Sequence, residues 1–116
     1  MPGPVFLCGL DAAVDVVGGK WKALILWALS ERPRRTSELR RELDGISEKV
    51  LIQQLRELQR DGIVERTVHE QVPPKVVYSL TAVGTELEQA LAPLGIWGEK
   101  HRDRISLLRI DDRSTR

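Results

Sequence analysis

Only one cysteine, Cys8, occurs in the 116 residues, which excludes an internal disulfide and predicts a reducing, cytoplasmic setting. Histidine is almost as scarce. His69 and His101 cannot assemble a His/Cys/carboxylate cluster with metal-ligand spacing, so neither metal nor cofactor is expected. Gly18-Gly19 lacks the companions of a phosphate-cradling loop. With no catalytic constellation in view, an enzyme is not indicated. No apolar run approaches the roughly 20 residues of a membrane span. Met1 to Leu10 lacks the basic start and long apolar core of a secretory signal. Excess charge is missing as well: the net charge is +1, which by itself announces no nucleic-acid partner.

What is present is an ordinary globular composition, 41% hydrophobic, in a length suited to one compact domain. The charge is unevenly placed. Residues 32–60 hold eight Lys/Arg against five Asp/Glu, whereas residues 61–98 hold two against five. A local basic surface suffices to attract phosphate, because salt limits the reach of charge to about 10 Å.

The positive segment contains the most informative stretch, Ile46 to Gly62. Its spacing predicts one helix of about four turns, with Ser47 as N-cap and Gly62 just past the C-terminus. Leu51, Leu55 and Leu58 form a stripe for burial. At about 100° per residue, Lys49, Gln53, Arg56 and Arg60 fall on the opposite face. Long hydrogen-bonding side chains on an outward face suit the major groove of double-stranded DNA.

The rest of the chain is read as support for that helix. Residues 1–7 form a loose arm. Residues 8–17 predict an amphipathic helix with Leu10, Ala13, Val14 and Val17 on its apolar side. Lys20 to Ser30 predicts a helix apolar around most of its circumference, the usual central member of a small core, with Trp21 read as packing in preference to a ligand pocket. After a break at Pro33, Thr36 should cap a short helix whose Leu39 and Leu43 face inward. Asp44-Gly45 then turns the chain into the reading helix, giving the outline of a helix-turn-helix. Beyond Gly62 the period becomes two. Ile63–Glu70 and Lys75–Thr81 read as a hairpin around Gln71-Val-Pro-Pro, a wing with Lys75 at its base. A final helix from Thr81 to about Leu108 should be kinked or split at Pro93 and Gly95. Its Leu87, Leu91, Leu94, Trp97, Ile105 and Leu108 exceed what so small a core absorbs, and with Leu10 they predict a homodimer interface. The expected layout is one domain over 1–116: arm 1–7, N-terminal helix 8–17, DNA-binding core and wing 20–83, dimerisation helix 84–109 and a frayed tail 110–116. The fold class is mainly α with a small β-hairpin, a winged helix-turn-helix.

Five blocks in register over about residues 8–98 resemble the HxlR branch of the MarR-like winged-helix transcription regulators. They are Cys8 with Gly18-Gly-Lys-Trp-Lys, Arg34-Arg35 with Glu38-Leu-Arg-Arg, Gly45 through Leu58, Asp61-Gly-Ile-Val-Glu-Arg, and Val72-Pro-Pro-Lys-Val-Val-Tyr-Ser-Leu-Thr. The chain departs at Gly9, where proline is usual, and at Thr36 and His69, where aromatics are common. The resemblance implies a bacterial cytoplasmic homodimer, joined through its terminal helices, that binds an inverted-repeat operator.

The residues expected on DNA are Arg35, Ser47, Lys49, Gln53, Gln54, Arg56 and Lys75, with Gln53 as the foremost base reader and Arg35 and Ser47 on phosphate. Ser47 reads equally well as a mere cap. His69 on its strand reads as structural or solvated. Cys8 has two readings: a buried small hydrophobe, or a redox or electrophile switch as in some members of the family it resembles. Two other functions stay open. One is a winged helix that docks proteins instead of DNA; the other is a receptor for a small-molecule effector held between the winged domain and the dimer helices.

Overall fold

The core is built from aliphatic side chains contributed by three consecutive helices. The computed structural model describes residues 5–114, in the order α1 (Gly9–Val17), α2 (Lys22–Leu29), α3 (Thr36–Glu42), α4 (Glu48–Arg60), β1 (Val64–His69), β2 (Lys75–Leu80) and α5 (Ala82–Ser114). Ile25 and Leu26 of α2, Leu39 of α3 and Leu51, Leu55 and Leu58 of α4 are fully buried. Truncating any one of these to alanine is expected to cost about 2–5 kcal/mol, the usual range for a cavity in such a core. Leu43, Ile46, Ile63, Val64 and Tyr78 close the cluster where the helices meet the sheet.

β1 and β2 pair antiparallel in six rungs, from Val64–Leu80 to His69–Lys75. The sheet has a third member of one residue. Arg34 exchanges both backbone hydrogen bonds with Tyr78, at 2.9 and 2.8 Å, placing the α2–α3 connection on the free edge of β2. The Arg34 guanidinium is buried, donates to the carboxylates of Glu42 and Glu31, and keeps one unpartnered Nε. The root of the wing is thereby tied to α3. Nothing in the local pattern of the sequence signals this tie.

The helix-turn-helix is closed at both ends of α4. Ser47 Oγ accepts the Val50 N–H at 3.1 Å, satisfying one of the orphan donors of the first turn. At the other end, Gly62 N–H donates to Gln59 O and Ile63 N–H to Leu58 O, a Schellman closure. The turn before α4 and the exit from it need left-handed backbone, supplied by Gly45 (φ 91°) and Gly62 (φ 73°).

Several boundaries differ from the sequence reading. The cap of α3 is Arg35, in extended conformation, and Thr36 is the first helical residue. Arg35 N–H donates to Glu38 Oε1 at 3.1 Å, so the reciprocal carboxylate of a capping box secures the start without a hydroxyl. In α1 the residue that packs on the core is Val16, while Leu10 and Val14 face solvent. The helix at α5 is neither split nor ended early. It runs through Pro93 and continues to Ser114, so residues 110–114 of the expected tail are helical. Pro93 and Gln89, whose carbonyl loses its i+4 donor, are both exposed, and water can take the freed group. Residues 1–4 of the expected arm and 115–116 of the tail lie outside the described residues; Val5, Phe6 and Leu7 are exposed.

Candidate nucleic-acid interface

Because Leu51, Leu55 and Leu58 are fully buried, α4 has one fixed orientation, and its other face is presented to solvent. Lys49, Gln53 and Arg56 are exposed there, and among the described residues none of the three has a hydrogen-bond or ion-pair partner in the chain. Each keeps its donors for a ligand. Gln54 is half-buried and stands at the margin of the face. Arg60 is already engaged: its guanidinium donates to both carboxylate oxygens of Asp61, at 3.1 and 3.3 Å, and this hydrogen bond, followed by the charge of Asp61, holds its proton more tightly than usual. Ser47 is committed to its cap, with its oxygen on the Val50 N–H.

α3 and the turn before it add cations. The Arg35 side chain is exposed just ahead of α3, and Arg40 and Arg41 are exposed along it. Arg32, also exposed, pairs with Glu38 at 2.8 Å. The backbone N–H of Arg35, then the Arg32 guanidinium, hold the Glu38 carboxyl below the usual carboxylate range.

The wing is exposed along β1 beyond Val64. Lys75 stands opposite His69 in the rung next to the loop, so it belongs to the tip of the wing and not to its base as the sequence reading had it. His69 shares that rung and is exposed.

The expected interface residues of the terminal helices divide into two sets. Leu87 and Leu91 pack partly on the chain's own core. Leu10, Leu94, Trp97 and Leu108 are exposed, and Ile105 is half-exposed. Trp97 lies against His101, with ring centroids 4.8 Å apart. Trp21 packs partly on the core with Lys20 Nζ 4.7 Å above its ring, in keeping with a structural role. An open groove of about 700 Å³ runs between α2 and α5, lined by Leu24, Trp27, Leu91, Leu94, Ile96 and Arg102 among others. Cys8 precedes α1 as a free thiol and is exposed, which overturns its reading as a buried hydrophobe. Among the described residues, no three His, Cys, Asp or Glu side chains gather as a metal site, and no helix is long and apolar enough to cross a membrane.

The comparisons with known proteins agree with this architecture. Residues 16–106 match the HxlR-like helix-turn-helix family. YkvN of Bacillus subtilis, an HTH-type transcriptional regulator, is 50% identical over 93 residues, covering 80% of this chain and 79% of that one. YdeP of the same organism, also an HTH-type transcriptional regulator, is 45% identical over 101 residues, covering 87% and 79%. Among solved structures, the redox regulator HypR in its reduced form superposes with a TM-score of 0.80 at 42% identity, covering 85% of this chain and 98% of that chain. The family is one of regulators and not of enzymes, and its winged helix-turn-helix is the architecture seen here. The chain belongs to the HxlR-like helix-turn-helix family of transcriptional regulators.

Proposed function

We propose that the protein is a sequence-specific DNA-binding regulator that works in the cytoplasm as a homodimer on an inverted-repeat operator. The observation that carries this reading is the division of α4: three leucines fully buried, and Lys49, Gln53 and Arg56 opposite them exposed and unpartnered among the described residues. In the major groove, Gln53 can bond adenine N6 and N7 together, while Lys49 and Arg56 meet guanine or phosphate. Arg35 and Lys75 reach flanking phosphates, Gln54 adds a marginal contact, and Ser47 can offer its hydroxyl only from within its cap. Two copies are needed because one such helix touches few base pairs. Leu10, Leu94, Trp97, Ile105 and Leu108 are the surface that would join them, setting the reading helices about 34 Å apart.

The test is selection of genomic fragments by the purified protein, followed by affinity on the selected sequence and on a scrambled duplex across a salt series. A DNA reader prefers the selected sequence and loses affinity steeply as salt rises. Binding without preference, or a complex indifferent to salt, would favour a winged helix that docks proteins.

Cys8 gives this regulator its input in our reading. The thiol is exposed at the start of α1, the helix proposed to join the protomers. The likeness to HypR, described as a redox regulator, supports that role. Two Cys8 thiols of a dimer would lose two protons and two electrons to a diazene or quinone oxidant and form one disulfide, tilting the reading heads. Operator affinity of wild type and Cys8→Ser, with and without diamide, decides it; affinity unchanged by diamide in wild type ends the idea. A second input, a small-molecule effector, is favoured by the groove between α2 and α5, whose volume of about 700 Å³ is within the range of ligand pockets.

A further inference from the structure

The wing ends in a pair that the reading of α4 does not use. His69 and Lys75 are directly opposite in the last rung before the loop. Directly paired residues point to the same side of a sheet with Cβ atoms about 5 Å apart. This rung lies five steps, about 17 Å of strand, from the buried Val64–Leu80 rung. His69 is exposed and Lys75 half-exposed, and among the described residues neither side chain has a hydrogen-bond or ion-pair partner. The charged groups around them are few. Glu70 follows in the loop. Glu65 lies four residues back on the same face, where it accepts from Ser79 Oγ at 3.4 Å. Arg66 is on the other face. The helices meet the sheet at its other end, where Arg34 with Glu42 and Glu31 sits beside Tyr78, three rungs away.

We infer that His69 and Lys75 form a phosphate-binding pair whose second charge is supplied by a proton. The inference rests on the DNA-binding reading and adds a dependence on acidity to it. Imidazole changes charge between about pH 5 and 8. When His69 is neutral, Lys75 alone faces the DNA backbone. When it is protonated, two like charges stand opposite each other, an arrangement that is unfavourable in the free wing. A phosphate oxygen between them accepts from both and removes the repulsion, so binding takes up a proton. The effect does not depend on base sequence, because phosphate carries none.

The experiment measures Kd of a fixed scrambled duplex of about three helical turns against salt, at about pH 8 and about pH 5.5. Wild type, His69→Gln and His101→Gln are compared. For a dimer gaining two phosphate contacts, the slope of log Kd against log salt steepens by about two at the lower pH, and affinity at low salt rises on the order of tenfold. His69→Gln abolishes this steepening, so that its slopes at the two pH values coincide; His101→Gln keeps it. A steepening that survives His69→Gln, or its absence from wild type, overturns the inference. Failure of every protein to bind at pH 8 would instead overturn the DNA reading on which it rests.

Discussion

Lys22 Nζ lies 3.2 Å from Glu57 Oε1, joining the central helix α2 to the margin of α4. The lysine is 6% exposed, although α2 is otherwise apolar, and its carboxylate partner is about one-third exposed. Removing one member of such a pair strands the other, so the two single changes are not equivalent. Glu57→Gln leaves a buried ammonium and is expected to destabilise by about 1–2 kcal/mol, below the range for fully buried pairs because Glu57 reaches water. Adding Lys22→Met removes the stranded charge and should restore most of the loss. Urea unfolding of the single and double variants checks this; a double variant no more stable than Glu57→Gln would show that the pair is not what holds α2 to α4.

Gly84 sets the first turn of α5 against the backbone of Ile63, the residue just ahead of β1. A Cβ there would collide with the Ile63 carbonyl oxygen, a backbone atom that no rotamer change can move. The approach is fixed from both sides: Thr81 N–H donates to Ile63 O at 3.0 Å, and Thr81 Oγ1 donates to Gly62 O at 2.6 Å while accepting Gly84 N–H at 3.0 Å. Gly84→Ala should therefore cost about 1–3 kcal/mol by overpacking, even though alanine is the better helix former by about 1 kcal/mol. A midpoint in urea equal to that of wild type would mean α5 can shift away without penalty.

These two sites show what the sequence could and could not disclose. Elements held by local rules were readable: the leucine stripe of α4, its serine cap and its closing glycine lie within one helix and obey its period. The hairpin was readable because its strands alternate around a proline-containing loop. Lys22, Arg34 and Gly84 were not, because each owes its place to a partner distant in sequence: Glu57, Tyr78 and Ile63 respectively. Lysine and arginine are ordinarily surface residues, so a pattern of polarity assigns them outward. The continuity of α5 is not legible for another reason. Proline breaks a helix when the freed carbonyl has no other partner, and at Pro93 that carbonyl is on an exposed stretch. Of the site, the outward face of α4 was legible, while the position of Lys75 at the tip required the register of the strands.

The start of α3 should be sensitive to acid. Glu38 accepts from the Arg35 N–H at 3.1 Å and pairs with Arg32 at 2.8 Å, and its carboxyl ionises below the usual range. A group whose folded value is depressed contributes stability that is fully present above the unfolded value and is lost as pH falls through the folded one. Glu38→Gln should thus be less stable than wild type near neutrality, with the gap closing as pH falls below about 4. Thermal unfolding at several pH values checks this; a gap that is constant or widens in acid would assign the loss to packing.

Gln53 and Lys75 should fail in opposite ways when truncated. Gln53 lies on the exposed face of α4, and its amide can recognise a base edge, so Gln53→Ala should lose about 1–3 kcal/mol on the selected operator and far less on scrambled DNA. Lys75 lies at the wing tip, and an ammonium there reads charge without reading sequence. Lys75→Ala should weaken both DNAs by the same factor and lower the salt slope by about two for a dimer. The comparison is internal, because each variant is measured on the same two duplexes. Equal losses for Gln53→Ala on both would remove it as a reader, and a loss for Lys75→Ala confined to the operator would place the wing on base edges rather than on phosphate.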